Sequence, residues 1–175
     1  GPVFQVRKDA SVSIPFTNGL SEPTTVHWHG LVVPTAVDGQ PQDPVAAGSS
    51  FTYAFTVAQR AGMSWYHPHP DMATSSQVAL GLAGGFVIRD AEEDLLGLPS
   101  GAFEVPLVLR DANFDRAGNL SYNGTASGFT GKTLLVNGVR DPYLVTSPAI
   151  HRFRILGGSN SRVFRLALSN AAEFT

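Results

Sequence analysis

No cysteine occurs among the 175 residues, so disulfides, thiolate nucleophiles and thiolate metal ligands are excluded within this chain. That absence alone says little about compartment. Charged side chains are sparse, at 15% of residues with a net charge of −2. With no long basic run, the chain offers no electrostatic footprint for nucleic acid or an anionic membrane. No apolar stretch approaches the roughly 20 residues needed to cross a bilayer. The opening "GPVFQVRKDASV" reads as strand-like sequence, without the charged-then-apolar pattern of an export leader. Low-complexity segments and short-period repeats are also missing.

What is present is a globular composition, with 43% hydrophobic residues in a chain long enough to bury a sizeable core. The dominant period is two. "VFQVR", "SVSIPFTN", "TVHWHG", "SFTYAFTV", "MSWYHPH" and "GGFVIRD" are short runs rich in β-branched and aromatic residues. Turn-forming stretches such as "NGLSEP", "VDGQPQDP" and "AAGSS" separate them. Short strands at this spacing predict an all-β sandwich or barrel. One short helix is expected at "AEEDLLGL", with acidic residues in its first turn and Gly97 near its end. A second set of strands follows in "FEVPLVLRD", "TLLVNG", "HRFRILGG" and "VFRLALSN". The pattern divides the chain into a first domain at 1–92, a linker at 93–102 and a second unit at 103–175. That second unit is short of the roughly 100 residues a sandwich usually needs, and is read as incomplete.

Four of the five histidines fall in two His-x-His pairs, His27 and His29 in "TVHWHG", His67 and His69 in "WYHPH". On a strand, residues i and i+2 face one side, so His27 and His29 project together while Trp28 points away. The same parity holds for His67 and His69 if their segment is extended, which Pro68 favours. Both pairs are offset by 40 positions. Two segments each offering two imidazoles to one space make a four-nitrogen metal site, and imidazole suits copper, zinc, iron and nickel. A zinc hydrolase site of three ligands and a water fits four histidines poorly. A cupin would place a Glu where Val32, Val33 and Pro34 stand. A blue-copper centre needs the missing cysteine. A copper cluster built from imidazoles remains. His151, alone in "PAIHRFRIL", reads as a strand surface residue.

"HWHG", "WYHPH" and the following "SSQVALGLAGGFVIRD" resemble the amino-terminal domain of three-domain multicopper oxidases, of the bacterial laccase and copper-efflux oxidase type. The likeness continues through "VDGQPQ", "TLLVNG" and "RFRILGGSNSRVFRLAL". The resemblance implies a cupredoxin-like Greek-key β-sandwich, followed by part of a second cupredoxin-like domain. It also implies that His27 ligates the type 2 copper, that His29 and His67 ligate one copper of the type 3 pair, and that His69 ligates the other. Asp38 matches the family's acid near the type 2 copper, which helps deliver protons to reduced oxygen; taken alone, Asp38-Gly39 is a hairpin-turn signal. Trp28, Trp65 and Tyr66 are expected to pack around the cluster. Many relatives carry a further His where this chain has Asp71, a position outside the ligand set. Met63 and Met72 are too few to form the methionine-rich segments of copper-efflux oxidases.

By the same resemblance the chain supplies half of a trinuclear copper site that reduces O2 to water, using electrons from phenols or metal ions. The type 1 site, which needs a cysteine, and the other four histidines must come from the remainder of the polypeptide or from another chain. This chain alone is expected to be inactive on phenols. A non-catalytic copper-binding or structural cupredoxin module is the alternative. The family works mostly in the periplasm or as secreted proteins, which is the expected location. "NLS" at 119–121 and "NGT" at 123–125 match glycosylation acceptors, triplets that are frequent by chance.

Overall fold

The structure is a computed structural model in which residues 1–173 are described. Ten strands carry it: β1 (Phe4–Arg7), β2 (Ser11–Thr17), β3 (His27–His29), β4 (Ser50–Thr56), β5 (Gly62–His67), β6 (Gly84–Arg89), β7 (Glu104–Phe114), β8 (Leu120–Ser121), β9 (Thr133–Val136) and β10 (Arg152–Gly157). Two short helices, α1 (Thr74–Ala79) and α2 (Ala91–Leu95), interrupt them. Strands β1, β6, β5 and β3 form one sheet in that order, with β1 parallel to β6 and the other pairs antiparallel. Strands β2 and β4 pair antiparallel beside it.

Alternation explains the first core. In β2, Val12, Ile14 and Phe16 turn inward, opposite Phe55, Tyr53 and Phe51 of β4. Trp28, Tyr53, Phe55, Val57, Phe86 and Ile88 form the buried cluster between these strands and the four-stranded sheet. Each such side chain contributes about 1.5–3 kcal/mol when fully buried. Strand β6 is buried on both faces, which is why "GGFVI" lacks the alternation of its neighbours.

The second set of strands centres on β7, which pairs with β10 in parallel and with β8 and β9 antiparallel. The expected helix is α2. Its N-cap is Asp90, which accepts a bond from the Glu93 amide at 2.7 Å. Glu93 and Glu104 pair with Arg89, Arg152 and Arg154, so α2, β6, β7 and β10 meet at one buried ionic cluster.

One expected strand does not form: "VFRLALSN" carries no ladder, and Val163 stands 92% exposed. A strand needs a neighbour for its backbone groups, and none pairs with this stretch among the described residues. Residues 174 and 175, the end of the expected second unit, lie outside the described residues.

Candidate metal centre

Strand β3 is only three residues long, and Trp28 fixes it. The indole is 1% exposed and donates its N–H to the Val37 carbonyl at 3.0 Å. With Trp28 inward, His27 and His29 must project from the opposite face. Antiparallel pairing with β5 then sets His27 opposite His67, Trp28 opposite Tyr66, and His29 opposite Trp65. The equal 40-residue offset of the two pairs is therefore not a register; the antiparallel ladder brings His29 to Trp65, not to His69.

One face of this ladder thus carries His27, His29, Trp65 and His67. Trp65 lies against His67 and His29, with ring centroids 4.3 Å and 5.2 Å away. Trp28 and Tyr66 occupy the other face, where Tyr66 packs on Phe4 and Trp28. Of the three aromatic residues expected around the histidines, Trp65 is the one that packs on their rings.

All four imidazoles converge. The His27 ring lies 5.8 Å from His29, 5.3 Å from His67 and 5.3 Å from His69, centroid to centroid. Potential ligand atoms of His27, His29 and His67 lie within 4.8 Å of one another. His29 Nδ1 and His67 Nε2 face each other at 3.1 Å. Two nitrogens at that spacing subtend roughly 100° at a metal with bonds of about 2.0 Å, an ordinary coordination angle. His69 sits beyond the end of β5, and its Nδ1 is buried without a partner among the described residues. The donor set of neutral imidazoles and the unpartnered buried nitrogen fit a borderline metal ion.

Two of the ring nitrogens are tied to backbone carbonyls. His27 Nδ1 donates to the Asp38 carbonyl at 2.9 Å, and His67 Nδ1 to the Pro68 carbonyl at 2.8 Å. These bonds fix the tautomer and leave each Nε2 with its lone pair free, as metal ligation requires. Burial, reinforced by the neighbouring histidines, pushes the His67 imidazole down to about 4 against the pull of its bond to Pro68. Burial and the charges of His27 and His69 also lower His29. Both rings are neutral near pH 7.

Asp38 does not sit in a hairpin turn. It closes a 3-10 turn, Thr35–Val37, with φ −88 and ψ 0. Its Oδ1 lies 3.2 Å from His27 Nδ1, though the ring N–H points at the Asp38 carbonyl, so this is a close approach and not a directed bond. Gln40 donates to the other carboxylate oxygen at 2.6 Å. Gly39 makes the approach possible. Its φ is +64, and a Cβ there would meet the Val26 carbonyl oxygen at 2.1 Å.

His151 stands apart, bonded through Nδ1 to the Ala149 carbonyl and packed beside Phe103. Asp71 lies in the exposed turn after Pro70. Thr24, Thr25 and Gln77, all buried and polar, also lie beside the histidine segments and match no metal-ligand motif. Their signal was a threonine pair directly before "VHWHG" and a lone amide in "SSQVAL", where a buried polar group demands partners. Asn119 and Asn123, the glycosylation candidates, spend side-chain bonds on Asp115 and Asn113 around the β7–β8 turn.

The family model described as "Multicopper oxidase" matches residues 1–93. The multicopper oxidase mco of Staphylococcus aureus is 39% identical over 176 residues, covering 99% of this chain and 39% of that protein. The laccase of Bacillus subtilis (strain 168) is 31% identical, over 99% of this chain and 42% of its own length. Among solved structures, the McoA multicopper oxidase of the hyperthermophile Aquifex aeolicus superposes with a TM-score of 0.84 at 41% identity, covering 90% of this chain and 36% of that one. This chain therefore spans about two fifths of the length of the proteins it matches.

Proposed function

The chain belongs to the multicopper oxidase family, and on that premise we propose that it is the amino-terminal part of a laccase-like oxidase, supplying half of a trinuclear copper site. In this reading His27 holds the type 2 copper, His29 and His67 share one copper of the type 3 pair, and His69 holds the other. The observation that carries the reading is the convergence of four imidazole rings from two short segments. When bound, copper supplies the one-electron steps by which O2 is reduced to water.

The protein's own contribution is to present neutral nitrogens in fixed directions. Backbone carbonyls at Asp38 and Pro68 hold two of the rings by their outer nitrogens. Trp65 covers one side of His29 and His67, keeping that side apolar. Asp38, with its carboxylate beside His27 and steadied by Gln40, is the group assigned to hold a proton for delivery to reduced oxygen. Phenols or metal ions are the proposed electron donors, acting at a type 1 site carried by the rest of the polypeptide or by another chain. The proposed organisation is a first cupredoxin-like domain at 1–92, a connector at 93–102 and part of a second such domain at 103–175. A periplasmic or secreted location accompanies this reading on family likeness alone.

Copper analysis of the full-length protein tests the proposal. Four ions per polypeptide, falling on replacement of His67 by Ala and unchanged on replacement of His151 by Ala, is the expected result. None or one per polypeptide would favour the non-catalytic module and sink the oxidase.

A further inference from the structure

The antiparallel register of β3 and β5 pairs His27 with His67. Continued by two positions, it would set Thr25 opposite His69. The backbone ladder does not continue that far, and β5 ends at His67, just before Pro68. At the next position the His69 amide donates instead to the Thr25 hydroxyl, at 2.7 Å. A side chain has taken over the acceptor role that the strand gave up.

That substitution matters most for His69. The rings of His27 and His67 are each aimed by a bond from Nδ1 to a backbone carbonyl. The Nδ1 of His69 has no partner among the described residues, so the direction of this ring depends on where its backbone is held. Thr25 is 2% exposed, leaving no room for solvent to replace its hydroxyl, and a buried amide left unpaired is costly.

The same tie is made a second time from the other direction. Eight residues after His69, Gln77 of α1 accepts from the Thr24 hydroxyl at 2.6 Å. Its amide nitrogen donates to the Pro23 carbonyl and to Glu22, each at 2.9 Å. Residues 22–25, which lead into His27, are therefore bound to residues 69–77 at both ends of the return.

We propose that Thr25 is a positioning residue for His69, with Gln77 holding the segment that carries the Thr25 hydroxyl. Together they set the separation between His69 and the other three imidazoles. This rests on the copper reading above, because it concerns the ligand assigned to the second copper of the coupled pair.

The test uses the full-length protein loaded with Cu(II). Thr25→Val keeps the shape of the side chain and removes the acceptor. It is expected to weaken one copper by about tenfold to a hundredfold. It should also turn part of the EPR-silent coupled copper into EPR-visible copper. Thr25→Ser should restore both. Gln77→Leu should shift the same two signals in the same direction. A full silent pair and wild-type copper affinity in Thr25→Val overturn the proposal. Hydrogen exchange of the His69 amide reads the same tie without metal: faster exchange in Thr25→Val supports it, and wild-type exchange overturns it. If the unmodified protein takes up no copper, the copper reading fails, while amide exchange still decides the role of Thr25.

Discussion

Gly39→Ala is the substitution for which the structure gives the sharpest magnitude. Two costs combine at this position. The first is conformational: with φ at +64, an L side chain is forced into left-handed backbone, at about 1–3 kcal/mol. The second is a collision. The added Cβ would stand 2.1 Å from the Val26 carbonyl oxygen, 2.5 Å from its carbon and 2.9 Å from the His27 nitrogen. These are backbone atoms of the segment entering β3 and cannot swing aside. Reaching an ordinary contact of roughly 3.5 Å requires the loop to retreat by more than about 1 Å. That retreat pulls Asp38 from His27, breaking the 2.9 Å bond to its carbonyl and the 3.2 Å approach of its carboxylate. Overpacking of this kind adds about 1–3 kcal/mol, for a total of about 2–6 kcal/mol. At about 2–4 °C per kcal/mol for a protein of this size, the melting midpoint should fall by roughly 4–24 °C, with less copper bound. Gly48→Ala is the control, because φ is +73 there but a Cβ meets nothing within 4 Å; it should cost about 1–2 kcal/mol and leave copper untouched. If calorimetry finds Gly39→Ala no worse than Gly48→Ala, with copper content unchanged, the tight seating of Asp38 against His27 is wrong.

Two further outcomes follow from buried polar groups. Burial would raise the Glu93 and Glu104 carboxyls, but bonds from Arg154 and Arg152 to the first, and from Arg89 and Arg154 to the second, outweigh it and hold both below the usual carboxylate range. Groups lowered in this way stabilise the fold above the unfolded carboxylate value of about 4.3, and the contribution is lost as pH falls below that through their folded values. Denaturation midpoints measured at pH 7, 5 and 3.5 should therefore drop mainly across the last interval, and less so in a Glu93→Gln, Glu104→Gln double variant; equal acid sensitivity in both would refute the link. Trp28→Phe removes the donor to the Val37 carbonyl and leaves a gap in the core, so urea denaturation should show a loss of about 2–3 kcal/mol, and a loss under about 0.5 kcal/mol would show that this bond does not anchor the loop ahead of Asp38.

Much of this arrangement was legible in the sequence because β-structure writes its faces in alternate residues. Parity alone put Trp28 inward and His27 with His29 outward, and the structure keeps that division. The helix at Ala91–Leu95 was readable from Asp90 and the acids behind it, since capping is local chemistry. Pairing was not readable. The equal offset of the two pairs names no register, because direction and register depend on which strands meet, a long-range property that no local pattern encodes. The stretch "VFRLALSN" shows the converse failure: the residues favour a strand, but a strand forms only against a partner.

Pro68 ties these lessons together. Between two histidines it looked like a means of keeping the segment extended, which would carry the ladder's parity on to His69. Yet β5 ends at His67, immediately before Pro68 and two residues before His69. The first three imidazoles are thus set by sheet register and Trp28, whereas the fourth is set by a threonine hydroxyl. Strands can fix residues that share one face, but a metal cluster needs ligands approaching from several directions. The break after His67 leaves His69 outside the strand, and the buried Thr25 contact holds its backbone there. A histidine pair on an unbroken strand would hold both rings on one face; the end of β5 at His67 releases the second pair from that rule.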